Sequence, residues 1–297
     1  MKKFQGVIAV FVGAVSFGIL STFVKKAYEE NFTLAEVTGI QALFGMLFLW
    51  AGYLLTQLIA PKAKLKYSRK TPFYYILLSG VSSGAVSILY YKCVELVPAS
   101  LAIVLLMQYI WISILMEMLI FKVKPSQKQV LGIIFILACT VLATGLMENS
   151  LANISIVGIL FGLLAAIAYS IFIIVNGRVG NDYPPIQKSA LMVSGACILI
   201  FVLLQPFSLF QGETFQPLWK YGLLLAVFGT VLPPLLFAYG MPKIGVALGS
   251  ILSAVELPVA VCFSYFVLHE HVSNLQFAGV ILILIVISWL NSGFKKI

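Results

Sequence analysis

Apolar runs of roughly 20 residues recur along the whole chain, each long enough to cross a ~30 Å hydrocarbon layer as a helix. Inside lipid a backbone must satisfy its own hydrogen bonds, which leaves only helices and closed barrels. The alternating strand patterns of a barrel are absent. Hydrophobic residues make up 61% and charged residues 10% of the sequence, against about 25% charged in a soluble domain. Most of the surface is therefore built to face lipid, and the chain reads as an all-α integral membrane protein.

Reading the runs between polar punctuation gives ten spans, at roughly 6–25, 34–59, 73–96, 99–121, 128–147, 154–176, 186–205, 219–240, 244–268 and 275–293. The N-terminal "MKKFQGVIAVFVGAVSFGIL" has the lysines and apolar core of a signal peptide, but it runs on to Phe23 and Val24 without an A-x-A site. An uncleaved first span is expected. With the N-terminus in the cytoplasm, 15 of the 19 basic residues fall on that side. Only Lys25, Lys26, Lys92 and Lys220 fall outside. Basic residues favour the cytoplasmic face, so a multi-pass protein of the cell (inner) membrane with both termini cytoplasmic is expected. The same asymmetry accounts for the net charge of +9 without nucleic acid as a partner. Cys93, Cys139, Cys197 and Cys262 lie inside the runs with no CxxC pair and read as apolar packing residues.

A shift of 147 residues lays "VPASLAIVLLMQYIWISILMEMLIFKVKPSQKQVLG" (97–132) over "IGVALGSILSAVELPVAVCFSYFVLHEHVSNLQFAG" (244–279) without a gap. Leu101 meets Leu248, Leu105 meets Leu252, Ser126 meets Ser273, Gln129 meets Gln276 and Gly132 meets Gly279. Two repeats follow, residues 1–148 and 149–297. Five spans in each is an odd number, so the second repeat enters the membrane inverted. Inverted repeats suit alternating access around a site near the midplane.

This pattern resembles the drug/metabolite transporter superfamily, specifically its EamA-type ten-helix members, across essentially the whole chain. The resemblance is carried by "FGILSTF" (17–23), "AIVLLMQYIWISIL" (102–115) and "ILSAVELPVAVCFSYFVLHEHVSNLQFAGVILIL" (251–284). Members of that family show a proline in spans four and nine and a glycine-glutamate before the last helix. Pro258 and Glu270 match, whereas Trp111 stands opposite Pro258 and Val123 opposite Glu270. The resemblance implies a central cavity lined by spans one to four and six to nine, with five and ten peripheral. It also implies movement of small metabolites or drugs, commonly export.

Catalytic and metal readings find little. "HEH" at 269–271 is not HExxH, since histidines two apart point to different helix faces. No G-x-x-x-x-G-K-[ST] loop occurs, so no nucleotide-driven pumping is expected, and no cofactor is implied. Gly80/Gly84, Gly158/Gly162 and Gly245/Gly249 have the spacing that brings membrane helices close together. Lys92 and Glu95 are one turn apart near the outer end of span three, either a self-neutralising pair or a cavity-facing lysine. Glu117 lies near Lys122 and is expected at the cytoplasmic interface.

Glu256 stands apart, near the centre of span nine and two residues before the helix breaker Pro258. A charge there costs ~2.5–3.5 kcal/mol on the insertion scale, so the carboxyl needs a partner, a proton or water. Pro258 frees the carbonyl of Ala254, which Glu256 with Ser253 could satisfy at a kink. The alternative is a broken helix lining a water-filled cavity, its acid binding a cation or exchanging protons. The repeat places Glu256 opposite Tyr109, with Gln108 and Trp111 beside it. An acid facing aromatics suits a cationic or amphipathic organic solute. The expected function is secondary transport of small organic solutes, outward and proton-coupled. An uptake permease or exchanger on the same fold is the alternative, and a non-transporting receptor or assembly subunit a more distant one.

Overall fold

A computed structural model describes residues 2–59, 68–97, 99–143, 155–269 and 272–292. The boundary between residues 148 and 149, together with Glu270 and His271, lies outside the described residues. Among the described residues eight apolar helices are long enough to cross a membrane: Lys2–Glu29, Leu34–Ile59, Phe73–Leu96, Leu101–Phe121, Ile156–Arg178, Pro185–Leu204, Thr214–Ile244 and Val246–Val267. Two shorter apolar helices, Gln127–Ala143 and Asn274–Leu290, occupy the places of spans five and ten. Large apolar side chains such as Leu58, Ile59, Ile281 and Ile285 point outward, which is where an apolar composition belongs when the surrounding solvent is lipid.

Helix starts are written in local chemistry. Ser126 and Gln129 cap span five reciprocally: the Ser126 amide donates to Gln129 Oε1 at 2.7 Å, and the Gln129 amide donates to Ser126 Oγ at 3.2 Å. Ser273 and Gln276 repeat this box at span ten, at 2.8 and 3.2 Å. The serine–glutamine match between the halves is thus a pair of capping boxes that satisfy otherwise orphaned amides. Thr33 and Glu36 build a third box at span two.

Eight spans close a ring. Span one packs on eight, eight on two, two on seven, seven on three, three on six, six on four, four on nine and nine on one. Spans five and ten pair with each other outside the ring, against four and nine. Exchanging the halves maps one·eight onto six·three and two·eight onto seven·three, and maps two·seven, four·nine and five·ten onto themselves. The 147-residue shift holds at atomic detail. A Cβ on Gly132 would meet Leu290, and one on Gly279 would meet Ala143, and these two contacts exchange under the shift.

Helix breaks follow the same symmetry. Span four breaks at Gln108, between Ala99–Met107 and Tyr109–Phe121, and span nine breaks at Ala254 and Val255. Span three is interrupted at Gly80, and span eight carries a π-helical stretch, Ala226–Val231, at the corresponding depth. Trp111 in place of a proline therefore does not keep span four straight.

Two of the three glycine pairs act as expected. A Cβ on Gly80 or Gly84 would strike the carbonyl oxygens of Met192 and Ala196, and Gly158 and Gly162 admit side chains of spans three and four. The third pair departs from the expectation. Gly245 has nothing within 4 Å of its ideal Cβ and a φ of +83°. It is a hinge between spans eight and nine in a conformation that L side chains rarely adopt, while Gly249 alone makes room, for the Met241 sulfur.

Candidate functional site

The helix ends divide into two layers. At the basal end, where spans one and six respectively begin and finish, Tyr239 donates to Gln5 Oε1 at 3.1 Å, and the buried Glu117 accepts from Arg178 Nη2 at 2.5 Å. At the distal end, Ser208 donates to Glu36 Oε1 at 2.9 Å and Tyr221 to Glu30 Oε1 at 2.6 Å. Glu117, expected at the cytoplasmic interface, is buried at the basal end. Its partner comes from span six, and Arg178 also lies 4.7 Å from the Phe121 ring centroid.

A small cavity of about 80 Å³ opens in the centre of the ring. Its wall draws on spans one to four and six to nine, as the family resemblance implied. Gln41, Tyr90, Tyr91, Leu106 and Ile200 place it in the distal half of the bundle. Its polar groups are hydroxyls, the Gln41 amide and one carboxyl, Glu256; among the described residues no lysine, arginine or histidine lines it. Tyr91 donates to Gln41 Oε1 at 3.0 Å on the wall.

Glu256 sits at the first turn of the distal half of span nine, with 5% of its surface accessible. Its carboxyl does not turn to the backbone. The carbonyl of Ala254, freed by Pro258, accepts instead from the Leu257 amide at 3.3 Å, and Ser253 Oγ donates to Gly249 O at 3.1 Å. The kink repairs itself through its own main chain, and the acid is left to the cavity. Its partner there is Tyr169, whose hydroxyl donates to Glu256 Oε1. Gly18 permits this geometry, because a Cβ there would lie 2.6 Å from the Glu256 carbonyl oxygen.

Tyr169 was not singled out from the sequence, and it organises the floor of the cavity. Its ring stacks on Phe172 with centroids 5.7 Å apart, and Phe172 meets Phe237 at 6.0 Å. Phe17 presents its edge to all three, at 5.9, 6.1 and 5.8 Å. This aromatic layer lies between the cavity and the basal end.

Of the remaining expected site residues, Tyr109 lies near both Glu256 and Ser253, whereas Gln108 and Trp111 turn elsewhere. Tyr109 is buried behind Tyr169, ring centroids 4.5 Å apart, its hydroxyl 3.4 Å from Ser250 O. Ser113 and Ser250 bond there at 2.6 Å. Ser253 donates to Gly249 O of its own helix and also lies within hydrogen-bond reach of the Tyr109 hydroxyl. Trp111 points away from the cavity, 42% accessible, and donates to Gln108 Oε1 at 2.9 Å, while Gln108 Nε2 donates to Val104 O. A helix turns about 100° per residue, so Tyr109 and Trp111 cannot share one face. Burying the first sends the second outward.

Lys92 and Glu95 form the ion pair expected of their spacing, Nζ to Oε1 2.8 Å, with 35% and 46% of their side chains accessible. They line a separate distal vestibule with Lys25, Tyr28 and Glu29, away from the central cavity.

A further basic residue escaped sequence reading. Lys188 is 1% accessible and donates to Asn176 O at 2.7 Å and Asn181 Oδ1 at 2.9 Å, tying the start of span seven to the end of span six. In the turn between them Asp182 accepts from the Thr71 amide and hydroxyl, each at 2.7 Å. Partial burial works against the Asp182 charge, yet these hydrogen bonds hold its carboxyl below the usual value. Tyr183 donates to Thr71 O at 3.0 Å, so two connections are latched at the basal end.

Comparison with known proteins agrees with this architecture. A solved crystal structure superposes with a TM-score of 0.71 over 99% of both chains at 14% identity, a likeness of fold alone. An uncharacterized transporter of Archaeoglobus fulgidus is 29% identical over 136 residues, 44% of this chain and 47% of that protein, so the match spans about half the relative's length. The family model of EamA-like transporters matches twice, over residues 4–145 and 156–292. Two matches covering both five-span halves settle the family: the chain belongs to the EamA-like transporters of the drug/metabolite superfamily.

Proposed function

We propose that this protein is a secondary exporter of small cationic or amphipathic organic solutes, driven by proton exchange at Glu256. The observation that carries the reading is a lone buried carboxyl on the wall of a central cavity that has no basic side chain among the described residues. The titratable groups around it are the phenols of Tyr90, Tyr109 and Tyr169. A site that holds one negative charge and aromatic faces favours a cation and disfavours an anion. A proton and a cationic solute compete for the same carboxyl, and that competition couples their movements when the site faces each side in turn. The excess of basic residues at the basal end supports a cytoplasmic location for it in the cell membrane. Reversed gradients would run the same cycle as uptake.

The test is flux in proteoliposomes. Glu256→Gln keeps the shape and an acceptor but cannot titrate. It is expected to lose flux driven by a pH gradient while retaining exchange of solute for solute. Retained gradient-driven flux would reduce Glu256 to a structural residue, and a protein that binds solutes without moving any would support the receptor reading.

A further inference from the structure

The Tyr169 hydroxyl is the direct link between the cavity acid and the aromatic layer beneath it. On one side it donates to Glu256, across spans six and nine. On the other, its ring stacks on Phe172, Phe172 contacts Phe237, and Phe17 wedges against all three. Phe172 and Phe237 are at most 1% accessible. They join spans six and eight, and one turn basal of Phe237 the fully buried Met241 packs towards Gly177 of span six. The basal seal is therefore a column of side chains whose uppermost member is hydrogen-bonded to the site. Spans one and three, the counterparts of six and eight, border the open distal part of the cavity through Leu20 and Ser21 on one and Ser87, Tyr90 and Tyr91 on the other. The bundle is closed where the column stands and hollow where its symmetry mate would stand.

We infer that Tyr169 is a positioning residue that couples the occupancy of Glu256 to the basal seal. While the phenol holds the carboxyl, spans six and nine are tied and the Phe172–Phe237 contact stays shut. A cation that takes the carboxyl competes with the phenol, frees the Tyr169 ring and loosens the column below it. The inference rests on the proposed function only for what displaces the phenol; the tie between Tyr169 and the seal stands on geometry.

Labelling of a basal cysteine tests it without substrate or gradient. Met241→Cys is placed in a background whose four native cysteines are replaced by alanine or serine, and its rate of reaction with a maleimide is followed in detergent, where both ends are reachable. Adding Tyr169→Phe should speed labelling by about tenfold, the shift expected from losing one hydrogen bond to a charged or buried acceptor. Glu256→Leu removes the acceptor from the other side and should speed it similarly, which keeps the test decisive should Tyr169→Phe fail to fold. Glu256→Gln retains an oxygen that accepts from the phenol, so its labelling should stay within about twofold of the parent. Equal rates for the parent and both bond-breaking variants would overturn the inference, as would Glu256→Gln labelling as fast as they do. Because Glu256→Gln is expected to abolish driven flux yet leave the seal intact, failure of the transport reading and failure of the gating inference give different results.

Discussion

Gly80→Ala is the substitution whose cost the structure sets most directly. The ideal Cβ at Gly80 would lie 1.7 Å from the carbonyl oxygen of Met192, 2.5 Å from its carbonyl carbon and 2.8 Å from its Cα. All three are backbone atoms, so no side chain can rotate aside. Spans three and seven touch there reciprocally, since a Cβ on Gly195 would lie 1.8 Å from Leu77 O. Real Cβ atoms essentially never approach closer than 3.0 Å, so the helices must part locally by about 1.3 Å, the difference between 3.0 and 1.7. A gap of ~0.5–1 Å already forfeits a quarter to a half of the dispersion well between facing atoms. Overpacking a close-packed interior costs ~1–3 kcal/mol and occasionally more, and an immovable backbone puts this site at about 3 kcal/mol or above. On the soluble-protein scale that lowers the midpoint of thermal unfolding by roughly 6–12 °C. The measurement is unfolding of the purified protein in detergent, with Gly212→Ala as the control because nothing lies within 4 Å of its ideal Cβ. A Gly80→Ala midpoint within about 2 °C of the parent would refute the claim that the two backbones are in contact.

Lys92→Met should lower stability by at most ~1 kcal/mol, as for exposed pairs, and Glu95→Gln in the same chain should recover most of it, with flux unchanged throughout. Since hydrogen bonds depress the Asp182 carboxyl, the latch contributes stability above the ordinary aspartate range and loses it as pH falls through the lower folded value. The gap in thermal midpoint between parent and Asp182→Asn should therefore be full at neutral pH and close on acidification below about pH 4. Pro258→Ala should leave span nine broken at Ala254 and Val255, because span four breaks at the matching Gln108 without a proline; a helix shown to be continuous by spin-label distances across the break would count against this.

The ten spans were legible because length and apolarity alone define them, and the repeat because both halves carry the same capping box and the same glycine. Glu256 was legible because an acid in lipid is costly. Its partner was not. Tyr169 looks like any tyrosine in an apolar run, and the bond joins residues 87 apart in sequence, a pairing that only ring closure creates. Lys188 was counted among interface lysines, yet the end of span six folds over it. Gln108 and Trp111 were expected beside Glu256 and turn elsewhere, because packing rather than spacing decides which face of a broken helix turns inward. The Gly245/Gly249 spacing was also ambiguous, since a close-packing stripe and a hinge share the same letters.

The ring has a consequence for how the molecule comes to be made. The strongest pairings all join one half to the other: one with eight, three with six and seven, two with seven and eight, four with six and five with ten. As the chain is synthesised, the first five spans enter the bilayer before any of these partners exists. Native helix association therefore has to wait for late-arriving helices, with contacts of high sequence separation that make assembly slow. Until then the bare faces around Gly80, Gly84 and Gly132 are covered only by lipid or by neighbouring proteins. The vulnerable moment in the life of this protein is the interval between its two halves, when quality control meets a chain that is fully inserted and not yet folded.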